Sequence, residues 1–386
     1  MGEAQRLSPD EQLRLAREQF EQTQDLTVAV EEEFALLDPT TLGLVNRFEE
    51  VFAASAGTEL EGSIVGELIA SEVEIRTGRC ETFPEAAQRM GERRAQLLAL
   101  TDSLGVALAG TGTHPWSPWQ EQRIIDTPHY RRNDEILRYV VWRNNSFGLH
   151  VHTGIRGPDR AIRVASALRN HLPELLAFSA SSPFVESVYT HLHSARTEIF
   201  TRMFPRCGIP DAFESWAEYE RYVRFLYESG SITEHTQIWW SVRPHLAFPT
   251  VELRICDGQP QLAEAQGLAA LLYAVTARIA RALDEGEALP SHPNHLLEEN
   301  FWRAIRYGMS GELLDLSVFP AVRVRSARAA LEELIEWTLP VAEELGAAAF
   351  LTVAATNPAE RQIARYESGE TLEAIYANEV LEPARV

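Results

Sequence analysis

Apolar and polar positions alternate with period two along residues 27–38. Val28, Val30, Phe34 and Leu36 share one face with Glu32, while Thr27, Ala29, Glu31, Glu33, Ala35 and Leu37 share the other. The pattern predicts a strand that stops at the turn signal Asp38-Pro39. Two carboxylates leaving one face beside small residues repel each other unless a cation lies between them, and oxygen ligands suit Mg²⁺ or Mn²⁺. The same pattern also fits a solvated edge strand whose acids discourage aggregation.

The alternation recurs further along. Residues 71–77 set Glu72 and Glu74 against Val73 and Ile75, and residues 250–256 set Thr250, Glu252 and Arg254 against Val251, Leu253 and Ile255. Residues 146–155 send His150 and His152 off one face together, with Gly148 and Gly154 beside them. Residues 237–243 oppose Gln237, Trp239, Ser241 and Arg243 to Ile238, Trp240 and Val242, and residues 106–113 form a strand of small side chains. Glu67 and Glu74 are separated by an odd number of residues, so one unbroken strand would place them on opposite faces. Either the strand breaks or bulges near residues 69–71, or Glu74 alone enters a shared site.

Helical spacing fills the intervals. Ser8-Pro9-Asp10-Glu11 is a capping box opening a helix to about residue 22, and Thr82 with Glu85 caps one reaching about residue 103. Residues 159–179 and 215–228 also read as helices. After Asp257 the chain becomes Ala-, Leu- and Glu-rich, with helices expected at 260–285, 295–306, 326–345 and 358–381. Strands are thus expected only in the first two-thirds, without regular βαβ alternation. This predicts an α+β fold on a largely antiparallel sheet. It would be a single catalytic domain over 1–386, with an N-terminal helix in 1–25, a sheet-bearing core in 26–258 and a helical part in 259–386.

Composition narrows the partners. The 386 residues carry a formal charge of −21, which argues against nucleic acid or an anionic membrane as partner. An anionic substrate would need arginines and metal ions to invert that field locally. No apolar run is long enough to span a membrane, and the opening Met1-Gly2-Glu3-Ala4-Gln5-Arg6 lacks a secretory pattern. Cys80, Cys207 and Cys256 follow no metal or disulfide spacing, as expected of reduced thiols in a cytoplasmic protein.

Each feature has a plain structural reading: His152 as a hydrogen-bonded interior histidine, Arg254 as a salt-bridge partner of Glu252, Trp239 as core. Their joint occurrence on strand faces argues instead for a metal–phosphate site, where acids hold cations and arginines hold phosphate or carboxylate. Small residues nearby allow a ligand close to the backbone.

With these residues assembled, the chain resembles the carboxylate–amine ligase family, also called glutamate–cysteine ligase type 2. The matching stretches are Val30-Glu31-Glu32-Glu33-Phe34, Glu72-Val73-Glu74-Ile75, Gly112-Thr113-His114-Pro115-Trp116 and Phe147-Gly148-Leu149-His150-Val151-His152. Arg206-Cys207-Gly208-Ile209-Pro210, Arg243-Pro244-His245 and Val251-Glu252-Leu253-Arg254-Ile255-Cys256-Asp257 follow in family order.

The resemblance implies a fold akin to the catalytic domain of glutamine synthetase, with a curved antiparallel sheet forming a funnel and helices outside. It also implies ATP-dependent γ-glutamyl transfer: a glutamate carboxylate takes the γ-phosphate of ATP, and an amine displaces phosphate from the resulting acyl phosphate. On that basis Glu31, Glu33, Glu74 and Glu252 match ligands of Mg²⁺ (or Mn²⁺), and Glu67 falls where a further acid lies. His150 matches a residue near metal and phosphates, and Arg254 one that stabilises the transferred phosphoryl group. Arg196 and Arg243 are candidates for binding substrate carboxylate or nucleotide phosphate, with His152 and Trp239 beside them. On family grounds a homo-oligomer is expected.

Two departures stand out. Glu32 falls on the core face, which requires an exposed sheet edge or a bulge. Thr236-Gln237-Ile238 replaces the family's usual acid and arginine, which leaves the acceptor amine open. A metal-dependent hydrolase using the same acids and histidines, and a degenerate homologue that binds nucleotide without turnover, are the alternative readings.

Overall fold

The computed structural model describes residues 7–352, 354–381 and 384. Residues 1–6, read above for the lack of a leader, lie outside the described residues, as do a few positions of the 259–386 part. In chain order the strands are β1 (Val28–Leu37), β2 (Ile64–Val65), β3 (Glu72–Arg76), β4 (Ala107–Ala109) and β5 (Gly148–Gly154). Four two-residue strands follow: β6 (Phe184–Val185), β7 (Val188–Tyr189), β8 (Cys207–Gly208) and β9 (Trp239–Trp240). Last come β10 (Val242–His245), β11 (Thr250–Asp257), β12 (Glu312–Leu314) and β13 (Val324–Ser326).

The principal sheet runs β10-β11-β5-β1-β3-β2, every pair antiparallel, with β4 added along the end of β1. β1 is therefore interior, which overturns the solvated-edge reading of its acids. Phe34 and Leu36 of β1 pack in a second cluster with Leu97 of the Phe83–Ser103 helix, while Val28, Val30 and the apolar faces of β5 and β11 join the main core with the helices Pro158–Leu168, Leu172–Ser179 and Leu262–Asp284. The last of these helices buries nearly its whole circumference, as its alanine-rich sequence permits. Among the described residues no barrel closes and no helix is long and apolar enough to cross a membrane.

Glu32 corrects one expectation. It is neither at an edge nor on a bulge: it lies in the buried layer, held by Arg94 of the Phe83–Ser103 helix at 2.6 Å. A buried acid is tolerated there because its counter-ion is buried with it.

Other differences concern breaks that periodicity does not reveal. The strand expected at 106–113 ends at Ala109, beyond which Gly112 packs so tightly on Asp257 that a Cβ would lie 2.7 Å from its carboxylate. The strand expected at 237–243 is split: Gln237 closes a 3₁₀ turn, β9 pairs with β8, and β10 begins after Ser241 and runs to His245. The helix at 159–179 is interrupted by the 3₁₀ turn Arg169–His171 ahead of Pro173, which can only start a new helix. The one at 358–381 stops at Glu367, where Gly369 takes a φ of +95°. Strands are also not confined to the first two-thirds, because β12 and β13 form a hairpin in the C-terminal part. Three-residue strands are too short to display a period.

Candidate active site

The polar face of the sheet opens into a cleft enclosing about 1120 Å³, mouth included. Glu31 and Glu33 reach it from β1, Glu74 from β3, His150 and His152 from β5, and Glu252 and Arg254 from β11. Arg243 enters from β10, Trp239 from β9, and Arg196 from the short helix Ala195–Thr197. Glu67 joins them because the chain leaves β2 at Val65 and re-enters the sheet only at Glu72, so a loop resolves the odd spacing. All eleven residues singled out from the sequence thus line one cavity.

Strand register explains the pairings. Glu31 lies opposite Arg76 on one side and His150 on the other, and Glu33 lies opposite Glu74. Glu252 lies between Arg243 and His152. Arg76 Nε reaches Glu74 at 2.5 Å and Glu31 at 3.1 Å. Glu252 accepts from Arg243 at 2.7 Å and from Arg254 at 2.5 Å, so the salt bridge set out above as a plain reading of Arg254 does form. Of the acids here, Glu252 has its charge most fully compensated.

Among the described residues, three sets of donors lie within 4.8 Å of one another and could hold a cation: Glu31, Glu74 and His150; Glu31, His152 and Glu252; and Glu33, Glu67 and Glu74. Both ring nitrogens of His150 are buried without a hydrogen-bond partner, 3.5 Å from Glu31 and 3.7 Å from Glu33. His152 donates or accepts at Thr250 through Nδ1 (2.8 Å), while its Nε2 is likewise unpartnered. Orphaned buried nitrogens beside crowded carboxylates fit a divalent cation of the Mg²⁺ or Mn²⁺ class.

The acids divide electrostatically. Burial pushes the Glu31 carboxyl up, but His152, His150 and Arg76 outweigh it and hold the group well below its ordinary range. Burial at Glu252 is likewise outweighed by Arg243 and Arg254. Burial and the charges of Glu31 and Glu67 instead drive Glu74 well upward, and burial with Glu33 does the same at Glu72. Glu67 is raised to about 7, by burial and then Glu33. Burial and Arg254 lower His150. The cleft thus has acids whose burial is outweighed by neighbouring cations, Glu31 and Glu252, and acids whose burial and mutual repulsion prevail, Glu67, Glu72 and Glu74. The thiols of Cys207 and Cys256 are pushed up to about 12 by burial, which disqualifies them as nucleophiles at neutral pH.

An acid whose folded pKa exceeds its unfolded value costs stability as pH rises between the two. For Glu67 that window runs from 4.5 to about 7. Glu67→Gln removes the cost. Without metal the variant is expected to gain on the parent by a few degrees of Tm as pH is raised from about 5 to about 8. Paired thermal melts in chelator test this; a difference that stays constant with pH contradicts it.

Several lining residues were given no role in the sequence. Glu72 was placed on the polar face with Glu74, and Arg76 shares that face by simple alternation, so the signal for both was present. Tyr130, Asn133 and Phe200 come from helical segments, Phe204 from the bend that follows one, and none carries such a signal.

The family model described as glutamate–cysteine ligase family 2 matches residues 27–372. A protein of Rubrobacter xylanophilus, provisionally named glutamate–cysteine ligase 2-3, is 43% identical over 325 residues, 84% of this chain and 86% of its own length. A relative from Solibacter usitatus, provisionally named glutamate–cysteine ligase 2, is 37% identical over 321 residues, 83% of this chain and 82% of its own. Among solved structures, the glutamate–cysteine ligase of Francisella tularensis in complex with AMP superposes with a TM-score of 0.67 at 13% identity, covering 94% of this chain and 88% of that one. At that identity the likeness speaks for the fold.

Proposed function

The chain belongs to glutamate–cysteine ligase family 2 and is an ATP-dependent ligase forming carbon–nitrogen bonds, and from that premise we propose its reaction. The side-chain carboxylate of a glutamate-like acid attacks the γ-phosphorus of ATP, releasing ADP and forming an acyl phosphate. The nitrogen of a small amine then attacks the acyl carbon, the carbon–oxygen bond to phosphate breaks, the nitrogen's proton leaves with the phosphate, and a γ-glutamyl amide remains. Oxide is a poor leaving group and phosphate a good one, which is why the acid is activated first.

The observation that carries this reading is the gathering of Glu31, Glu33, Glu67, Glu74 and His150 on one side of a cleft whose other side bears Arg243 and Arg254. The first group are the residues that would hold Mg²⁺ or Mn²⁺. When bound, such an ion would offset the repulsion between two reacting anions. Arg254, whose Nε is buried without a partner, has a donor free for the transferred phosphoryl group. Arg243 holds Glu252 in place and, with Arg196, is assigned to nucleotide phosphate or substrate carboxylate. His152 braces Glu31 and Glu252, and Trp239 supplies a flat wall, with the Arg206 guanidinium on its ring at 5.7 Å. We read the sheet with its surrounding helices as a funnel-shaped site within one catalytic domain. The AMP-bound Francisella relative of this fold supports nucleotide use.

The test is incubation of the purified protein with Mg²⁺, ATP and glutamate and a panel of amines including cysteine, following phosphate release and product mass. Phosphate and a glutamyl amide in equal amounts are expected. Phosphate without amide would favour a hydrolase, and no phosphate with any acid and amine would favour a nucleotide binder without turnover.

A further inference from the structure

The acids on the cleft face have claimants, with one exception. Arg76 and the two histidines hold Glu31, the backbone N–H of Gly148 donates to Glu33, Arg76 pairs with Glu74, and two arginines hold Glu252. Glu67 belongs with Glu33 and Glu74 to a set able to bind a cation. Glu72 lines the same cleft at 2% exposure, yet its carboxylate has no ion pair or hydrogen bond among the described residues and belongs to none of the three cation-binding sets. Its cross-strand neighbour is Ala35, whose neighbour in turn is Ala109, so the positions directly beside it in the sheet offer it no polar partner. Glu33, Glu67 and Glu74 add negative potential at this point, and Arg196 is the cation that chiefly opposes them.

A carboxyl group buried this deeply without a counter-ion is costly to ionise, and a cationic ligand that pairs with it removes that cost. Beside it the cleft turns apolar, lined by Leu68, Val141, Phe200 and Phe204. The complementary ligand therefore carries a compact positive charge on an apolar body. We propose that Glu72 recognises the acceptor amine, binding it as a primary ammonium ion against that apolar wall and taking one of its protons before the nitrogen attacks. This rests on the ligase reading above and adds to it where, and in what charge state, the second substrate is selected. The ammonium can belong to a simple alkylamine or to an α-amino acid. In the second case the unpartnered Nε of Arg196 is the nearby donor for the carboxylate.

The test compares a cationic acceptor with hydroxylamine, which is an amine nucleophile but uncharged at neutral pH. The quantity read is the ratio of kcat/KM for the cationic amine to that for hydroxylamine, with cysteine and n-butylamine as the two cationic probes. In Glu72→Gln that ratio is expected to fall about 10- to 100-fold, the scale for losing a hydrogen bond to a charged group. Glu72→Asp, which keeps the charge, is expected to recover part of it. Loss confined to cysteine or to butylamine would show which kind of ammonium the site selects. A ratio equal to that of the parent, whether both activities fall together or neither falls, would overturn the assignment. A parent protein inert toward every amine would remove the ligase reading itself, and the proposal with it.

Discussion

Glu33→Gln is expected to raise the melting temperature of the metal-free protein by a few degrees while lowering ATP-dependent turnover at least about 100-fold. The two effects have one origin. Glu33 lies directly opposite Glu74 across the β1–β3 ladder, and its charge is among those that drive Glu67 and Glu72 upward. Like charges opposed in a sheet destabilise it, so removing one relieves the fold. Glutamine keeps the shape and an acceptor oxygen for the Gly148 N–H, so the register of β1 and β5 has no reason to change. What glutamine lacks is the charge that the Glu33, Glu67 and Glu74 set would offer a cation. Melts in chelator and a phosphate-release assay measure both quantities on one preparation. Full turnover in the variant would remove Glu33 from the cation site, and a lower Tm would make its charge structural.

The residues themselves show why so much of this site could be read from sequence. A strand in a one-sided sheet alternates strictly, so chemistry-bearing side chains that interrupt an apolar pattern at every second position must share a face. That argument reached Glu31, Glu33, Glu74, His150, His152, Glu252 and Arg254 without knowledge of strand order. The order β10-β11-β5-β1-β3 then sets their rows side by side, which no single segment encodes. The argument fails where regularity fails. Ser241 interrupts a strand that looked continuous, and β12 and β13 are too short to show a period. It fails again where a side chain enters the cleft from outside the sheet, as with Tyr130, Phe200 and Phe204. It also could not say which acids would find a basic partner. Glu32 and Glu72 both look like surplus acids in the sequence; one is buried against Arg94 and the other faces the cleft without a partner.

The Glu32 pair leads to the largest expected effect on stability. Arg94→Ala is expected to cost about 3–5 kcal/mol, the usual result of leaving a buried charge without its counter-ion. Arg94 is 5% exposed and donates to Glu32 through Nε at 3.0 Å and Nη2 at 2.6 Å. It also donates to the backbone carbonyls of Pro260 at 3.1 Å and Gln259 at 2.9 Å, and its guanidinium lies 5.1 Å from the Phe34 ring. One side chain thus ties the middle of β1 to the Phe83–Ser103 helix and to the turn that launches the Leu262–Asp284 helix. Truncation strands one carboxylate and two carbonyls in a buried layer. Because Glu32 points away from the cleft, turnover measured well below the melting point is expected to stay within about threefold of the parent, since stability and chemistry are separable at distant sites. Converting both partners, Glu32→Leu with Arg94→Met, removes the buried charge altogether and is expected to recover most of the loss, leaving only the two carbonyls short of a donor. Denaturant titration of the parent, the single variant and the double variant checks all three statements. A single variant as stable as the parent would mean that Glu32 finds another partner or is neutral in the fold. A double variant no better than the single one would place the cost in the carbonyls of Gln259 and Pro260 rather than in the ion pair.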